Sequence, residues 1–280
     1  MEAVFNTIVE RAEERNKADE DYIDSDGLLV CGTCHTRKQT EIQNPFSPGT
    51  RKMPCMCSCG KQEFEQEEAD RKAQELHQRI QALKRDGLTD SEYFNWTFER
   101  DDRQHPEISN ACRKYVEEWE LMRSDNIGLL FFGNVGTGKS FYACCIANAL
   151  LEKQVPALVT NFPRILQKLQ AGFGNNGTDL FDRLQKYELV VIDDLGAERN
   201  TEYALEQVFA VIDTRYRSGK PLIVTTNLAP ADIKNPANTS YARIYDRILQ
   251  NALPVKMTGA SRRSEIATQK REKYQSLLGL

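Results

Sequence analysis

The stretch that decides the fold is Ile-Gly-Leu-Leu-Phe-Phe-Gly-Asn-Val-Gly-Thr-Gly-Lys-Ser, residues 127–140. It begins with a short apolar run of the length of a buried strand. It ends in a full match to the pattern G-x-x-x-x-G-K-[ST] at residues 133–140. The glycines let backbone N–H groups turn inward around phosphate oxygens, and a helix predicted over residues 140–152 adds a favourable dipole at its N-terminus. The stretch therefore predicts a phosphate-binding loop between a strand and a helix.

The side chains of this loop define a candidate site for ATP and magnesium. We expect Lys139 to reach the β- and γ-phosphates and the Ser140 hydroxyl to coordinate Mg²⁺. A glycine-rich turn that carries Lys and Ser by chance is the alternative, but the strand and helix on either side favour the nucleotide site. The candidate nucleotide-binding residues are Gly133, Asn134, Val135, Gly136, Thr137, Gly138, Lys139, Ser140 and Phe141.

Further apolar runs follow the loop and alternate with a helical segment. We predict strands over residues 157–160, 189–193 and 222–226 and a helix over residues 202–217. Buried apolar strands that alternate with helices are typical of a parallel sheet covered by helices on both faces. The sequence from about residue 90 onward therefore predicts an α/β domain.

Polar residues stand where two of these strands end. Asp193 and Asp194 close the third strand, and we expect Asp193 to hold Mg²⁺, through water, while Asp194 orients or deprotonates the attacking water. Asn227 closes the fourth strand and is a candidate to hydrogen-bond that water or the γ-phosphate. A pair of acids that caps the next helix is the alternative for the two aspartates. Because Asp is one methylene shorter than the Glu that most such ATPases carry, we expect slow hydrolysis.

Five of the eight cysteines lie within 29 residues near the N-terminus. In a chain without a secretory signal such a cluster indicates a metal site more readily than disulfides. Two groups of thiolates across a loop can complete a tetrahedral zinc site, which would supply the folding energy of so small a module. A redox dithiol pair and an iron–sulfur cluster are the alternatives. The favoured ligands are Cys31, Cys34, Cys57 and Cys59, with Cys55 able to replace one and His35 able to compete.

We divide the chain into three segments. Residues 1–60 are predicted to form a leader helix and the zinc-binding module, residues 61–89 a linker helix, and residues 90–280 the α/β domain. The net charge of −4 argues against tight wrapping of duplex DNA over the whole surface. No apolar run reaches the roughly 20 residues of a membrane span, and the N-terminus lacks an apolar signal core, so we expect a cytoplasmic protein with no membrane partner.

Together, these motifs resemble the AAA+ ATPases, and more closely the replicative helicase loaders of the DnaC/DnaI type. The resemblance covers roughly residues 90–265 and implies a P-loop NTPase core. The residues that carry it are Thr-Phe-Glu at 97–99, the loop at 133–140, Ile-Asp-Asp-Leu-Gly-Ala-Glu at 192–198, Arg-Tyr-Arg-Ser-Gly-Lys-Pro-Leu-Ile-Val-Thr-Thr-Asn at 215–227 and Arg-Ile-Tyr-Asp-Arg-Ile-Leu at 243–249.

The resemblance implies self-association through the ATPase domain, in which an arginine of one subunit completes the ATP site of its neighbour. Arg243 matches that arginine best, with Arg247 as the rival and a surface ion pair as the alternative for either. Arg263 resembles the arginine that contacts phosphate within its own subunit, although Arg262 could substitute. A cation at the γ-phosphate neutralises developing charge, so assembly would switch hydrolysis on.

Residues 161–187 resemble the helical insertion that loaders place near single-stranded DNA. Basic residues with an aromatic can follow the backbone of a strand and stack a base; the alternative is an amphipathic helix pair whose leucines face the core. The candidate DNA-contacting residues are Arg164, Lys168, Phe173 and Arg183, and the leucines are Leu166, Leu169, Leu180 and Leu184.

The sequence leaves three functions open. The first is an ATP-dependent loader of a replicative hexameric helicase onto single-stranded DNA during replication initiation. In this function residues 1–60 would bind the helicase. The second is an IstB-type transposition accessory ATPase that acts on duplex DNA. The third is a nucleotide-dependent adaptor with little catalysis, which Asp194 in place of Glu keeps open.

Overall fold

A computed structural model of the chain describes residues 18–44, 48–171, 176–196, 201–228 and 239–278, together with positions 7, 9, 11 and 233. The chain divides into two compact units, Met1–His77 and Gln78–Leu280. The division falls inside a helix, α1 (Ser58–Gly87), that covers residues 61–87 of the linker predicted over residues 61–89. The segment boundaries predicted from the sequence stay predictions, and most of the predicted leader helix lies outside the described residues.

The first unit is built from two short antiparallel hairpins and the first part of α1. Strand β1 (Tyr22–Ile23) pairs with β2 (Leu29–Val30), and β3 (Gln39–Gln43) pairs with β4 (Thr50–Pro54). A buried ion pair joins Lys38 Nζ to Asp21 Oδ2 at 2.8 Å. Among the described residues of this unit few apolar side chains are buried: Val9, Leu28, Leu29 and Val30, with Cys31 and Cys57. So small a core needs another source of stability.

The second unit is built on a five-stranded sheet. Its strands are β5 (Gly128–Gly133), β6 (Ala157–Asn161), β7 (Leu189–Leu195), β8 (Leu222–Thr226) and β9 (Ala252–Met257). Their order across the sheet is β6-β7-β8-β5-β9, and each neighbouring pair is parallel. Because all the strands run the same way, the predicted site residues at their carboxyl ends come to one edge of the sheet.

Helices cover both faces of this sheet, because its strands are apolar on both sides. Phe131 packs with one hydrophobic cluster, which includes Ile146, and its neighbour Leu130 packs with the other, which includes Val208. The helices are α2 (Pro106–Glu117), α3 (Trp119–Ser124), α4 (Lys139–Glu152), α5 (Phe162–Ala171), α6 (Asn176–Lys186), α7 (Glu202–Arg217), α8 (Thr239–Asn251) and α9 (Arg262–Leu278). None of the described helices combines the length and the apolar composition that a membrane span requires.

Strand β9 was not predicted from the sequence. It is an edge strand, and three of its six side chains are exposed, among them Leu253 at 55%. Pro254 lies within it, which a strand can accommodate at an edge because the missing N–H faces away from the sheet. Residues 252–257 therefore show neither the continuous apolar run nor the alternation that identifies a strand.

The buried side chain of Arg215 joins three elements at the other end of the sheet. It is 1% exposed, and burial lowers its pKa to about 10. Its guanidinium donates hydrogen bonds to carbonyl oxygens at the end of α6 and at the entries to β7 and β8. The acceptors are Leu184 O at 3.0 Å, Tyr187 O at 2.8 Å, Glu188 O at 2.5 Å and Pro221 O at 2.8 Å.

We expect Arg215→Met to lower the free energy of unfolding by about 3–5 kcal/mol, because it leaves several buried carbonyl oxygens without donors. Urea unfolding followed by circular dichroism measures the change. Arg217→Met is the matched control, since the Arg217 side chain is 76% exposed and pairs with Asp213 on the surface; its effect should stay below about 1 kcal/mol. Equal effects of the two substitutions would contradict a structural role for Arg215.

Candidate functional site

The loop between β5 and α4 has the conformation of a phosphate-binding loop. Gly133, Gly136 and Gly138 have φ angles of 133°, 82° and 96°, in the region that favours glycine. A Cβ atom on Gly136 would lie 2.1 Å from Ser261 Oγ, so space as well as backbone conformation requires glycine there. The predicted strand, loop and helix therefore occur in the predicted order.

Lys139 points back across this loop. Its Nζ donates hydrogen bonds to Gly133 O at 2.9 Å and Asn134 O at 2.6 Å. The side chain is largely buried, which lowers the pKa of Lys139, while the carboxylates of Asp194 and Asp193 act in the opposite direction. An anion in the loop would compensate the buried ammonium, as a phosphate group does.

The loop forms one side of a cleft of about 270 Å³. The other sides come from the ends of β7 and β8, from the beginning of α9 and from the segment before α2. The lining residues are Trp96, Val135, Gly136, Gly138, Lys139, Ser140, Phe141, Asp193, Asp194, Thr225, Asn227, Arg262 and Arg263. Gly133, Asn134 and Thr137 complete the loop, and the Thr137 hydroxyl donates to Asn134 O at 2.9 Å. The structure thus brings the predicted loop, acids, asparagine and C-terminal arginine to one place.

The two acids and the asparagine form a hydrogen-bonded network through a residue that sequence reasoning missed. The Thr225 hydroxyl donates to Asp193 Oδ1 at 2.6 Å and accepts the Asp194 N–H at 2.9 Å. The Asn227 amide donates to Asp194 Oδ1 at 2.6 Å. Burial, and then the charge of Asp193, raise the pKa of Asp194. The signal available in the sequence was the position of Thr225 two residues before Asn227.

The two candidate arginines of the C-terminal segment lie at the beginning of α9 and differ in their contacts. Arg262 Nη2 pairs with Asp102 Oδ2 at 2.5 Å, and its guanidinium lies 5.5 Å from the centre of the Phe141 ring. Its backbone N–H donates to Gly136 O at 2.9 Å. Arg263 lines the same cleft, and its charge acts on Lys139 and Asp194. Arg262 is therefore held by its own chain, whereas Arg263 faces the groups that would surround a phosphate.

Arg243 and Arg247 lie on α8, and neither is among the described residues that line this cleft. That position agrees with an action on a neighbouring subunit.

The candidate DNA-contacting arginines are paired within the chain. Arg164 Nη2 lies 2.8 Å from Asp90 Oδ2, and Arg183 Nη2 lies 2.7 Å from Asp86 Oδ1. Lys168 is exposed, and Phe173 lies outside the described residues. The leucines follow the alternative interpretation: Leu180 and Leu184 are buried, and Leu169 packs against the same cluster, while Leu166 is partly buried.

In the first unit four cysteine side chains meet. The sulfur atoms of Cys31, Cys34, Cys57 and Cys59 all lie within 4.8 Å of one another. Four thiolates at Zn–S distances of about 2.3 Å in a tetrahedron are about 3.8 Å apart, so this group fits a zinc ion. Hydrogen bonds from the Thr36 hydroxyl and the Cys59 N–H lower the pKa of Cys34 to about 5, which favours the thiolate that a metal binds.

The other candidate ligands lie outside this group. Cys55 Sγ contacts Arg37 O at 3.5 Å, and His35 Nδ1 lies 3.4 Å from the Tyr22 hydroxyl. The remaining cysteines are buried: Cys112, Cys144 and Cys145.

A sequence profile of the family described as "IstB-like ATP binding protein" matches residues 60–271. The chain belongs to this family. That membership covers most of the second unit, including the cleft, and identifies the chain at a general level as one of a family of ATP-binding proteins.

The chain is also homologous to replicative helicase loaders. It is 26% identical over 147 residues to the replicative helicase loader DnaI of Bacillus subtilis (strain 168), covering 49% of this chain and 47% of the relative. It is 29% identical over 161 residues to the replicative helicase loader DnaC of Escherichia coli (strain K12), covering 56% and 63%. The matches thus span less than two thirds of the length of either relative. The resemblance found in the sequence is confirmed.

Two solved structures share the fold. The crystal structure of the DnaI has a TM-score of 0.52 at 22% identity and covers 63% of this chain and 95% of that one. The crystal structure of the DnaC helicase loader has a TM-score of 0.51 at 20% identity and covers 60% and 100%. Together with the parallel sheet and its flanking helices, they confirm the predicted fold class, an AAA+ core preceded by a cysteine cluster that could hold zinc.

Proposed function

We propose that this protein is an ATPase that loads a replicative hexameric helicase onto single-stranded DNA. The observation that carries the proposal is the joint occurrence of the cleft, with its loop, acids and arginine, and homology to proteins named as replicative helicase loaders. ATP binding would hold the assembled state on DNA, and hydrolysis would release the helicase.

Within the cleft each group has a defined task. Lys139 and the loop N–H groups bind the phosphates, and Arg263 adds a positive charge from the same chain. Ser140 and Asp193 would hold Mg²⁺, which neutralises charge on the phosphates when bound. Asp194, kept in place by Asn227, orients the attacking water and takes its proton. Since the raised pKa of Asp194 reflects burial beside Asp193, magnesium on Asp193 would favour the ionised form of Asp194.

Hydrolysis would depend on assembly. The cleft of one chain contains no contribution from α8 among the described residues, and Arg243 of a neighbouring copy would complete it. A cation placed at the γ-phosphate only in the assembly makes turnover weak in the isolated chain and faster with partner or DNA.

The first unit would serve as the docking module for the helicase. A zinc ion held by Cys31, Cys34, Cys57 and Cys59 would stabilise it without taking part in catalysis, because four thiolates leave no open coordination position. Single-stranded DNA would contact the insertion of residues 161–187, for which the exposed Lys168 is now the first candidate. Arg164 and Arg183 would have to exchange their carboxylate partners for phosphates.

The test measures the ATPase rate with no addition, with single-stranded DNA, with duplex DNA and with the replicative hexameric helicase of the same cell, beside a pull-down of that helicase. Capture of the helicase and stimulation by single-stranded DNA are expected. Stimulation by duplex DNA alone without capture would indicate the transposition function instead. Intact ATP binding without turnover under any of these conditions would indicate the adaptor.

A further inference from the structure

Two aromatic rings on α7 each support an arginine of α8. The guanidinium carbon of Arg243 lies 4.6 Å from the centre of the Phe209 ring, and that of Arg247 lies 4.4 Å from the centre of the Tyr216 ring. The rings are seven residues apart, or about two helical turns, and the arginines are four apart, or about one turn. A guanidinium over a ring face is attracted by the negative charge of the π-system.

The two arginines differ in their other contacts. Arg247 Nε lies 3.5 Å from Asp213 Oδ1, so its charge is partly compensated within its own chain. Arg243 is exposed, and in the part of the chain that the structure describes no carboxylate pairs with it. The ring beneath Arg243 therefore orients the side chain without using the N–H donors that bind a phosphate.

This combination suits an arginine that must act on another molecule. A long arginine side chain has many rotamers, and orienting it in advance reduces the entropy lost when it reaches its target. A carboxylate would also orient it, but would compete with the phosphate for the same donors. An aromatic face fixes the plane of the guanidinium and leaves its edge free.

We infer that Phe209 is the positioning residue for Arg243, and that Arg243 rather than Arg247 contacts the nucleotide phosphates of a neighbouring copy of this chain. The inference rests on the proposed function, since it requires assembly and hydrolysis. It adds a residue on α7 that does not touch the nucleotide and that no motif includes.

A subunit-mixing experiment tests where Phe209 acts. A Lys139→Ala chain is defective in its own cleft but still offers Arg243, whereas an Arg243→Ala chain binds nucleotide but offers no trans arginine. Each chain alone should hydrolyse ATP slowly. The mixture should recover activity from pairs in which Arg243 of the Lys139→Ala chain completes the cleft of the Arg243→Ala chain.

Phe209→Leu is then added to one chain at a time. In the Lys139→Ala chain it should lower the kcat of the mixture by about fivefold with little change in KM for ATP, because the ring is lost beneath the acting arginine. In the Arg243→Ala chain it should have no effect. Phe209→Tyr in the Lys139→Ala chain should keep full activity, because it keeps the ring, and thermal melts check that each variant is folded.

Tyr216→Leu in the Lys139→Ala chain is the matched control, since it removes the equivalent ring from Arg247 and should leave the mixture unchanged. Loss of activity there instead of with Phe209→Leu would overturn the choice of Arg243. Equal losses with Phe209→Leu in either chain would reduce Phe209 to a packing residue. Full turnover by Arg243→Ala alone, or no recovery on mixing, would reject the trans arginine and with it the role of Phe209, whereas capture of the helicase tests the proposed function separately.

Discussion

Replacing Lys139 by alanine is expected to weaken ATP binding by about 100-fold and to lower turnover by at least that factor. Hydrogen bonds to charged groups contribute about 1.5–3 kcal/mol each, and 1.4 kcal/mol is a factor of ten in affinity. Two phosphate contacts from one ammonium therefore account for about 100-fold or more. Lys139 is buried against two loop carbonyls, whereas Arg262 and Arg263 reach the cleft from α9.

Binding of a fluorescent ATP analogue and steady-state hydrolysis measure the two effects. Lys153→Ala is the matched control, because Lys153 directly follows α4, the helix that begins at Lys139, and donates to Val116 O. It removes the same charge far from the loop and should leave nucleotide affinity unchanged. Wild-type affinity in Lys139→Ala would show that the cleft is not the nucleotide site, whatever the homology implies.

Removal of zinc is expected to unfold the first unit while the second unit stays folded. Structural zinc contributes about 10–16 kcal/mol of apparent binding free energy in small modules at neutral pH. The few buried apolar residues of this unit supply too little burial to replace that amount. Limited proteolysis of the full chain with and without a strong chelator should therefore cut within residues 18–77 only after chelation.

Substitution of single cysteines identifies the ligands. Cys59 Sγ lies 3.5, 3.3 and 3.4 Å from the sulfur atoms of Cys31, Cys57 and Cys34, so Cys59→Ser should lose the zinc, as measured by elemental analysis. Cys55→Ser is the matched control and should keep one zinc per chain. Zinc retained in Cys59→Ser, or lost in Cys55→Ser, would contradict the four-sulfur site. Zinc absent from the wild-type protein would leave the redox pair or the iron–sulfur cluster.

The features predicted well from the sequence are those that depend on residues close together in the chain. The phosphate-binding loop is one uninterrupted motif, and the strand that ends in Asp193 is a run of apolar residues with its acid at the predicted edge. Spacing alone also favoured the four cysteines that the structure brings together. In the second unit a local pattern determines backbone conformation, and the parallel sheet then brings the strand ends to one edge.

The features that were missed depend on contacts between distant segments. Thr225 joins the acids only because β8 lies beside β7. Asp86 and Asp90 form ion pairs with the two arginines of the insertion, although the partners in each pair are more than 70 residues apart in the sequence. A sequence shows which residues carry charge, but a carboxylate that compensates an arginine from another element appears only when the fold is known.

The place of β5 in the sheet also affects synthesis on the ribosome. The strand that leads into the phosphate-binding loop is hydrogen-bonded to β8 on one side and to β9 on the other, and both are translated after it. The hydrogen bond from the Arg262 N–H to Gly136 O also forms only after the later segment is made. Domains generally fold as units during translation, so we expect the loop to become able to bind ATP only after β9 has emerged. We therefore expect a polypeptide released before β9 is synthesised not to bind nucleotide.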